Sequence, residues 1–197
     1  LYMKITFLIP PSFDENKPAE RTAGCTRLVY DMPNIYALTV AAVLEQMGQI
    51  VEYKDFVLER QTIEHFREFV SNDDSDIYIF WSVNLSIATD VEAQKLIHEV
   101  RGNTYCVFLG PAGTYFPKLL IDGAFSIIVR GEPELTCKEL VDKLSAGEPW
   151  QDVKGLFYLA TDGTGTVKAT APRPLNSDLD SLPFPAIHFI KNYHFIN

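Results

Sequence analysis

Residues 76–109 read DIYIFWSVNLSIATDVEAQKLIHEVRGNTYCVFL, and this stretch decides the fold. Asp76 to Trp81 is a short apolar run rich in β-branched and aromatic residues, the composition of a buried strand. Asp90 to Arg101 reads as a helix, and Thr104 to Leu109 as a second buried strand. A strand, a helix and another buried strand in this order predict a crossover between parallel strands.

The same alternation extends outward in both directions. Lys4 to Ile9 is an apolar strand stopped by Pro10-Pro11, and a long polar loop follows, from Pro11 to Met32. Ile35 to Met47 has helical spacing and ends at Gly48, a natural C-terminal stop. Ile50 to Phe56 reads as a strand. Thr62 to Val70 reads as a helix with Ile63, Phe66, Phe69 and Val70 on one face. Beyond residue 109, Tyr115 to Ile121 is a short helix and Ser126 to Val129 a fifth strand. Pro133 to Ser145 is a helix with proline at its start, where the missing N–H costs little.

Five strands separated by helices predict an α/β fold: a doubly wound, five-stranded parallel sheet of Rossmann/flavodoxin type, order 2-1-3-4-5. The pattern then changes. Gly155 to Ala160 and Thr164 to Ala169 flank Asp162-Gly163, which predicts a β-hairpin packed as an appendage. Pro172, Pro174, Pro183 and Pro185 mark the tail. In Leu179-Asp180-Ser181-Leu182-Pro183-Phe184-Pro185-Ala186 two prolines fix φ around Phe184 and exclude helix or central strand. This proline-rich strap predicts a junction with a further domain. The expected division is an α/β domain over 1–150, a hairpin over 151–175 and a linker over 176–197. No internal repeat or low-complexity segment interrupts it.

Bulk properties narrow the function. The chain has 197 residues, is 47% hydrophobic and carries a formal charge of −9. Nucleic acids and anionic membranes need clustered Lys and Arg, which are absent, so no nucleic-acid partner is expected. No apolar run reaches the ~18 residues of a membrane span. Cys25, Cys106 and Cys137 are odd in number and scattered, without CxxC spacing, so neither a disulfide framework nor a zinc site is expected. A reducing cytoplasm is the default.

In an open α/β sheet ligands bind beyond the carboxyl ends of the strands, where strand order reverses. The loops concerned start near Pro10, Ser82 and Gly110. No GxGxxG, P-loop or GxSxG motif lies there. A phosphoacceptor receiver needs acidic residues after strands one and three and a lysine after strand five. Those places hold Pro10-Pro11, Ser82 and Arg130. A flavodoxin-type Ser/Thr-rich phosphate loop is equally absent. What remains is small, polar and uncharged: Ser82-Val83-Asn84-Leu85-Ser86 and Gly110-Pro111-Ala112-Gly113-Thr114. Small residues let a broad, flat ligand lie against backbone, with hydroxyls and amides bonding a neutral polar tail. The plainer reading is that Ser and Gly simply end strands.

Several segments together resemble one family. Met3-Lys4-Ile5 through Ile9-Pro10-Pro11 is similar to an MKI-x-LI-x-PP opening, and Pro33 to Leu44 to a P-x-GL-x-x-LAA-x-L helix, although Asn34 to Tyr36 lacks the usual Gly. Leu109 to Pro117 is similar to a GGPHAT-x-x-P loop. Val129 to Thr136 is similar to VRGEGE-x-T, Gly155 to Tyr158 with Asp162-Gly163 to the family hairpin, and Leu179 to Ala186 to an LD-x-LPFPA strap. In this order they resemble the N-terminal cobalamin (B12)-binding domain of B12-dependent radical SAM proteins, the group that includes magnesium-protoporphyrin IX monomethyl ester cyclase-like enzymes.

The resemblance implies cobalamin as cofactor, held by Pro10 and Pro11, by Ser82, Asn84 and Leu85, by Gly110 to Thr114, and by Arg130, Gly131 and Glu132. It implies a corrin over the carboxyl edge with its base threaded between strands three and four. It also implies a C-terminal radical SAM domain of the same polypeptide, which would hold S-adenosylmethionine and a [4Fe-4S] cluster. The cluster needs CxxxCxxC, which Cys25, Cys106 and Cys137 do not supply. The expected role is methyl transfer or cyclase-type chemistry in a full-length enzyme, with no catalytic residue in this chain and no histidine ligand to cobalt from the strand-one loop. Two positions depart from the family loop: Leu109 stands for its first Gly and Ala112 for its His. A Leu there would crowd a nucleotide tail, which makes the rival reading a degenerate docking module without cofactor. Arg130-Gly131-Glu132 reads either as backbone ligand contacts or as a salt-bridged turn docking the next domain. His65 and His98 read as surface residues, Phe184 and Tyr193 as packing anchors, Trp81 as core facing, and Cys106 as inert core.

Overall fold

A computed structural model describes residues 2–13 and 33–190. Most of the long loop, with Cys25, and the last residues, with Tyr193 and His194, lie outside them. The strands are β1 (Lys4–Ile9), β2 (Ile50–Asp55), β3 (Ile77–Trp81), β4 (Tyr105–Leu109), β5 (Ser126–Val129), β6 (Leu156–Leu159) and β7 (Val167–Ala169). The helices are α1 (Ile35–Gln46), α2 (Ile63–Asn72), α3 (Ile87–Arg101), α4 (Pro111–Tyr115), α5 (Pro117–Leu120) and α6 (Glu134–Ala146).

One sheet runs in the order β2-β1-β3-β4-β5-β6-β7. Its first five strands are parallel and follow the expected 2-1-3-4-5 order. Alternation along each strand divides the core in two. Ile5, Phe7, Ile77, Ile79, Val107, Leu109, Ile127 and Val129 face α1 and α6, while Leu8, Tyr78, Phe80, Cys106, Phe108 and Ile128 face α2, α3 and α5. Both faces are apolar because both are covered, which is why these strands read as continuous apolar runs.

The hairpin differs from expectation. β6 pairs antiparallel with β5, Val129 opposite Leu156, and β7 pairs antiparallel with β6. It extends the sheet instead of packing as an appendage, and so satisfies the backbone groups that β5 would otherwise leave as an open edge. Its turn is longer than two residues. Asp162 accepts hydrogen bonds from the Thr164 amide and hydroxyl and pairs with Lys168, so the second strand starts only at Val167.

Two helix boundaries also shift. The Ser86 hydroxyl accepts from the Val83 amide and starts the helical turn early, so α3 begins at Ile87. The single helix expected over 115–121 is broken at Phe116, because Pro117 has no N–H to continue the ladder.

The strap packs back on the domain. Arg173 bonds Thr136 and pairs with Glu139 of α6. The Asn176 amide donates to Glu132 and the Ala186 amide to the Leu38 carbonyl. His188 bonds Glu45 at 3.0 Å and Phe189 stacks on Tyr53 of β2. The anchors are buried Ala186 and Ile190; Phe184, expected to anchor, is 95% exposed. A proline on each side sets the backbone angle but leaves the ring without a neighbour to bury it.

At the amino edge Lys4 binds Asp73 at 2.8 Å and Asp74 at 2.6 Å, and the Tyr78 hydroxyl donates to Asp73 at 2.6 Å. Arg101 donates to the Asp73 carbonyl. This cluster ties β1 to the turn before β3.

Candidate functional site

The ends of β1, β3, β4 and β5 form the carboxyl edge. After β1, Pro10 and Pro11 are buried. After β3, Ser82 is buried, and a short 3-10 turn (Asn84–Ser86) holds Asn84 and Leu85 out in solvent, Leu85 at 67% exposure. After β4, Gly110, Ala112 and Gly113 are buried, Thr114 is half-buried and Pro111 is exposed. After β5, Arg130 is half-buried, and Gly131 and Glu132 are exposed.

Asp90 shapes the β3 end. This fully buried carboxylate on the first turn of α3 accepts the Ser82 hydroxyl at 2.6 Å and the Ser86 hydroxyl at 2.8 Å. In the sequence Asp90 reads as an ordinary helix residue. Its spacing from Ser82 and Ser86, eight and four residues, was the available signal. Ser82 is spent internally throughout: its amide donates to the Leu109 carbonyl at 2.8 Å, and its carbonyl accepts from the Ala112 amide at 3.1 Å. Those two bonds close the space between the ends of β3 and β4. A base threaded between these two strands would have to break both bonds.

Gly110 makes the closure possible. Its φ is +91°, and a Cβ there would lie 2.8 Å from the Ser82 carbonyl oxygen and 3.1 Å from the Trp81 ring. Trp81 is half-buried between core and edge, so the expectation of a wholly core-facing ring holds only in part. Tyr36, on the first turn of α1, stacks on it with centroids 5.3 Å apart and planes 13° apart. Tyr36 is 66% exposed, and Tyr115, after β4, is 75% exposed. Neither aromatic stands out in the sequence as a site residue. The available signal was that Ile35-Tyr36 stands where the resembled family carries Gly-Leu.

Thr114 donates to the Gly110 carbonyl, and its hydroxyl oxygen accepts from the Gly131 amide, both at 3.3 Å, joining the β4 and β5 loops. The Arg130 side chain turns away from the edge. It donates to the Thr170 carbonyl and lies over the Phe157 ring at 4.9 Å. Glu132 holds the strap through the Asn176 amide at 2.9 Å. Of the two readings of Arg130-Gly131-Glu132, the side chains serve docking, here onto the hairpin and strap; only the Gly131 amide is turned toward the β4 loop.

The Leu109 and Ala112 side chains are fully buried, one in each core layer. Leu109 therefore fills the core beneath α1 and α6 and does not crowd the ligand edge. Leu109→Ala is expected to lower unfolding free energy by about 3 kcal/mol in urea titration, the cost of a large-to-small core change. An unchanged midpoint would place the side chain outside the core.

Among the described residues the titratable groups add no reactive centre. Burial pushes the Cys106 and Cys137 thiols up, which makes them poor nucleophiles. His65 is exposed and caps α2 with Thr62. His98, expected at the surface, is half-buried against the Thr104 carbonyl, and burial lowers its pKa. No group of three His, Cys, Asp or Glu side chains able to hold a metal occurs among the described residues, and none of their helices is long and apolar enough to cross a membrane.

No protein-family model matches the chain. An uncharacterized methyltransferase from Pyrococcus horikoshii, PH0819, is 28% identical over 186 residues, covering 93% of this chain. The fold is similar to that of the cobalamin-dependent S-adenosylmethionine radical enzyme OxsB, solved with aqua-cobalamin and S-adenosylmethionine bound: TM-score 0.74 over 96% of this chain at 18% identity. It is also similar to the radical S-adenosylmethionine methyltransferase TsrM from Kitasatospora setae, solved with cobalamin and a [4Fe-4S] cluster: TM-score 0.66 over 94% of this chain at 17% identity. The chain spans 38% of PH0819, 25% of OxsB and 31% of TsrM.

Proposed function

We propose that the carboxyl edge binds cobalamin and that the chain is the cobalamin-binding part of a radical S-adenosylmethionine methyltransferase. The observation that carries this reading is the chemistry of the edge. Among the described residues the segments following β1, β3 and β4, up to Phe13, Ser86 and Phe116, bear no charged side chain; Leu85 and Tyr115 on them are exposed, as is Tyr36 on the first turn of α1. Such a surface suits a broad, largely apolar macrocycle with amide-bearing edges, and not a polyanionic nucleotide. Asn84 and Thr114 supply polar groups at its margin.

Cobalamin bound there would carry a methyl group for transfer. This chain would hold the ring and exclude water from the face it covers. Methyl transfer is preferred to cyclase-type chemistry because PH0819 and TsrM are methyltransferases by name, whereas neither they nor OxsB is a cyclase by name. S-adenosylmethionine and the [4Fe-4S] cluster are assigned to a C-terminal radical SAM domain of the same polypeptide, since the relatives are much longer. Cys106 and Cys137, buried in different core layers, are not placed to hold a cluster. Two buried free thiols are in keeping with a reducing cytoplasm. The rival reading, a docking module without cofactor, loses its basis once Leu109 and Ala112 lie in the core.

Titrating the chain with hydroxocobalamin is expected to shift the visible spectrum with saturation in the micromolar range. No shift at high micromolar cobalamin, with the full-length protein also failing, overturns the proposal.

A further inference from the structure

Tyr36 holds an unusual position. A large aromatic side chain two-thirds exposed on the first turn of a helix has no packing reason to stay ordered, yet its ring lies nearly parallel to Trp81. Trp81 in turn lies against Gly110, whose missing Cβ admits the indole. The three form a stair: backbone, indole, phenol. One face of the phenol is covered by Trp81, and its exposure belongs to the other face and the rim. β3 lies between β1 and β4, so this stair stands among the uncharged loop ends, with Leu85 following β3 and Tyr115 following β4.

We propose that Tyr36, backed by Trp81, is the platform on which the flat corrin ring lies, and that it positions the ring rather than the nucleotide tail. This rests on the cobalamin reading above. Two features favour the ring. The bonds from the Ser82 amide to Leu109 and from the Ala112 amide to Ser82 close the gap into which a tail base would insert, so a flat group meets this edge face on. Exposed Leu85 after β3 and exposed Tyr115 after β4 add apolar surface at the same carboxyl edge, which suits a macrocycle better than a single bicyclic base. Stacking on an aromatic face adds to area burial and depends on the ring, not on the phenol hydroxyl.

The test compares wild type, Tyr36→Ala and Tyr36→Phe, each titrated with hydroxocobalamin and with cobinamide, which keeps the ring and lacks the nucleotide tail. Melting curves verify that each variant folds, as an exposed site permits. The expected result is a loss of about tenfold for Tyr36→Ala with both corrinoids, and near-wild-type binding by Tyr36→Phe. Equal loss in Tyr36→Phe would assign the effect to the hydroxyl and overturn the platform. A loss confined to hydroxocobalamin would place the tail there and also overturn it. Unchanged binding by Tyr36→Ala overturns the platform and leaves the cobalamin reading standing, whereas wild type binding neither corrinoid removes both.

Discussion

Gly110→Ala is expected to lower stability by about 3 kcal/mol and to weaken cobalamin binding by about tenfold or more. Gly110 has φ +91° and ψ −174°, a conformation essentially confined to glycine, whose imposition on another residue costs about 1–3 kcal/mol. The added Cβ would also stand 2.8 Å from the Ser82 carbonyl oxygen, which is backbone and already holds the Ala112 amide. Relief requires opening the β3–β4 closure or pushing the Trp81 ring, 3.1 Å away, off its place beneath Tyr36. Either movement deforms the edge, so stability and binding should fall together. Gly123→Ala is the control: its Cβ meets nothing within 4 Å and its φ is not positive, so a change within about 0.5 kcal/mol is expected. Urea midpoints and a hydroxocobalamin titration measure both effects. A Gly110→Ala protein as stable as the control would refute the close approach.

At the opposite edge, Asp73→Asn is expected to cost about 2 kcal/mol at neutral pH, and the cost should vanish in acid. Burial acts to raise the Asp73 carboxyl, but hydrogen bonds from Lys4, Tyr78 and Ser75 outweigh it and bring the pKa from 3.8 down to about 2. A fall of about two units corresponds to roughly 2.5 kcal/mol of preference for the charged form in the folded state. Because the folded pKa is depressed, this stabilisation is present in full above about pH 4 and is lost as pH falls toward 2. Wild type and Asp73→Asn should therefore converge in stability over that window, while Lys4 keeps Asp74 and Glu52 as partners in both. Urea titrations from pH 7 to pH 2 test this. A constant difference across the range would show that lost shape, not lost charge, carries the effect.

Much of the fold was legible. Runs such as Ile77 to Phe80 and Cys106 to Leu109 are apolar at every position, short, and bounded by turn residues, as a strand covered on both faces is written. Proline and glycine at 10, 48 and 110 marked where elements stop. The candidate edge followed from the topology rule, and its lack of charge was visible in Ser82 to Ser86 and Gly110 to Thr114. Direction was not legible. Leu109 read as an obstacle in a loop, yet alternation along β4 turns it into the core. Phe184 read as an anchor and is 95% exposed, while Ala186, with almost no side chain, is the buried residue. The hairpin read as separate because its turn chemistry is local, whereas its pairing with β5 is not.

The sequence by itself determined the five parallel strands and the longer helices between them, that the sheet is buried on both faces, and that the loops after β3 and β4 carry neither charge nor histidine up to Ser86 and Thr114. These follow from composition, from short continuous apolar runs and from the 3.6-residue helical pattern, which each segment carries within itself. Only the tertiary structure decided that Asp90 captures Ser82 and Ser86, that Gly110 lets Ser82 close against the β4 loop, and that Tyr36 stacks on Trp81 from 45 residues away. Such contacts depend on where packing turns a side chain and on how near two distant backbones come. Local periodicity contains neither quantity.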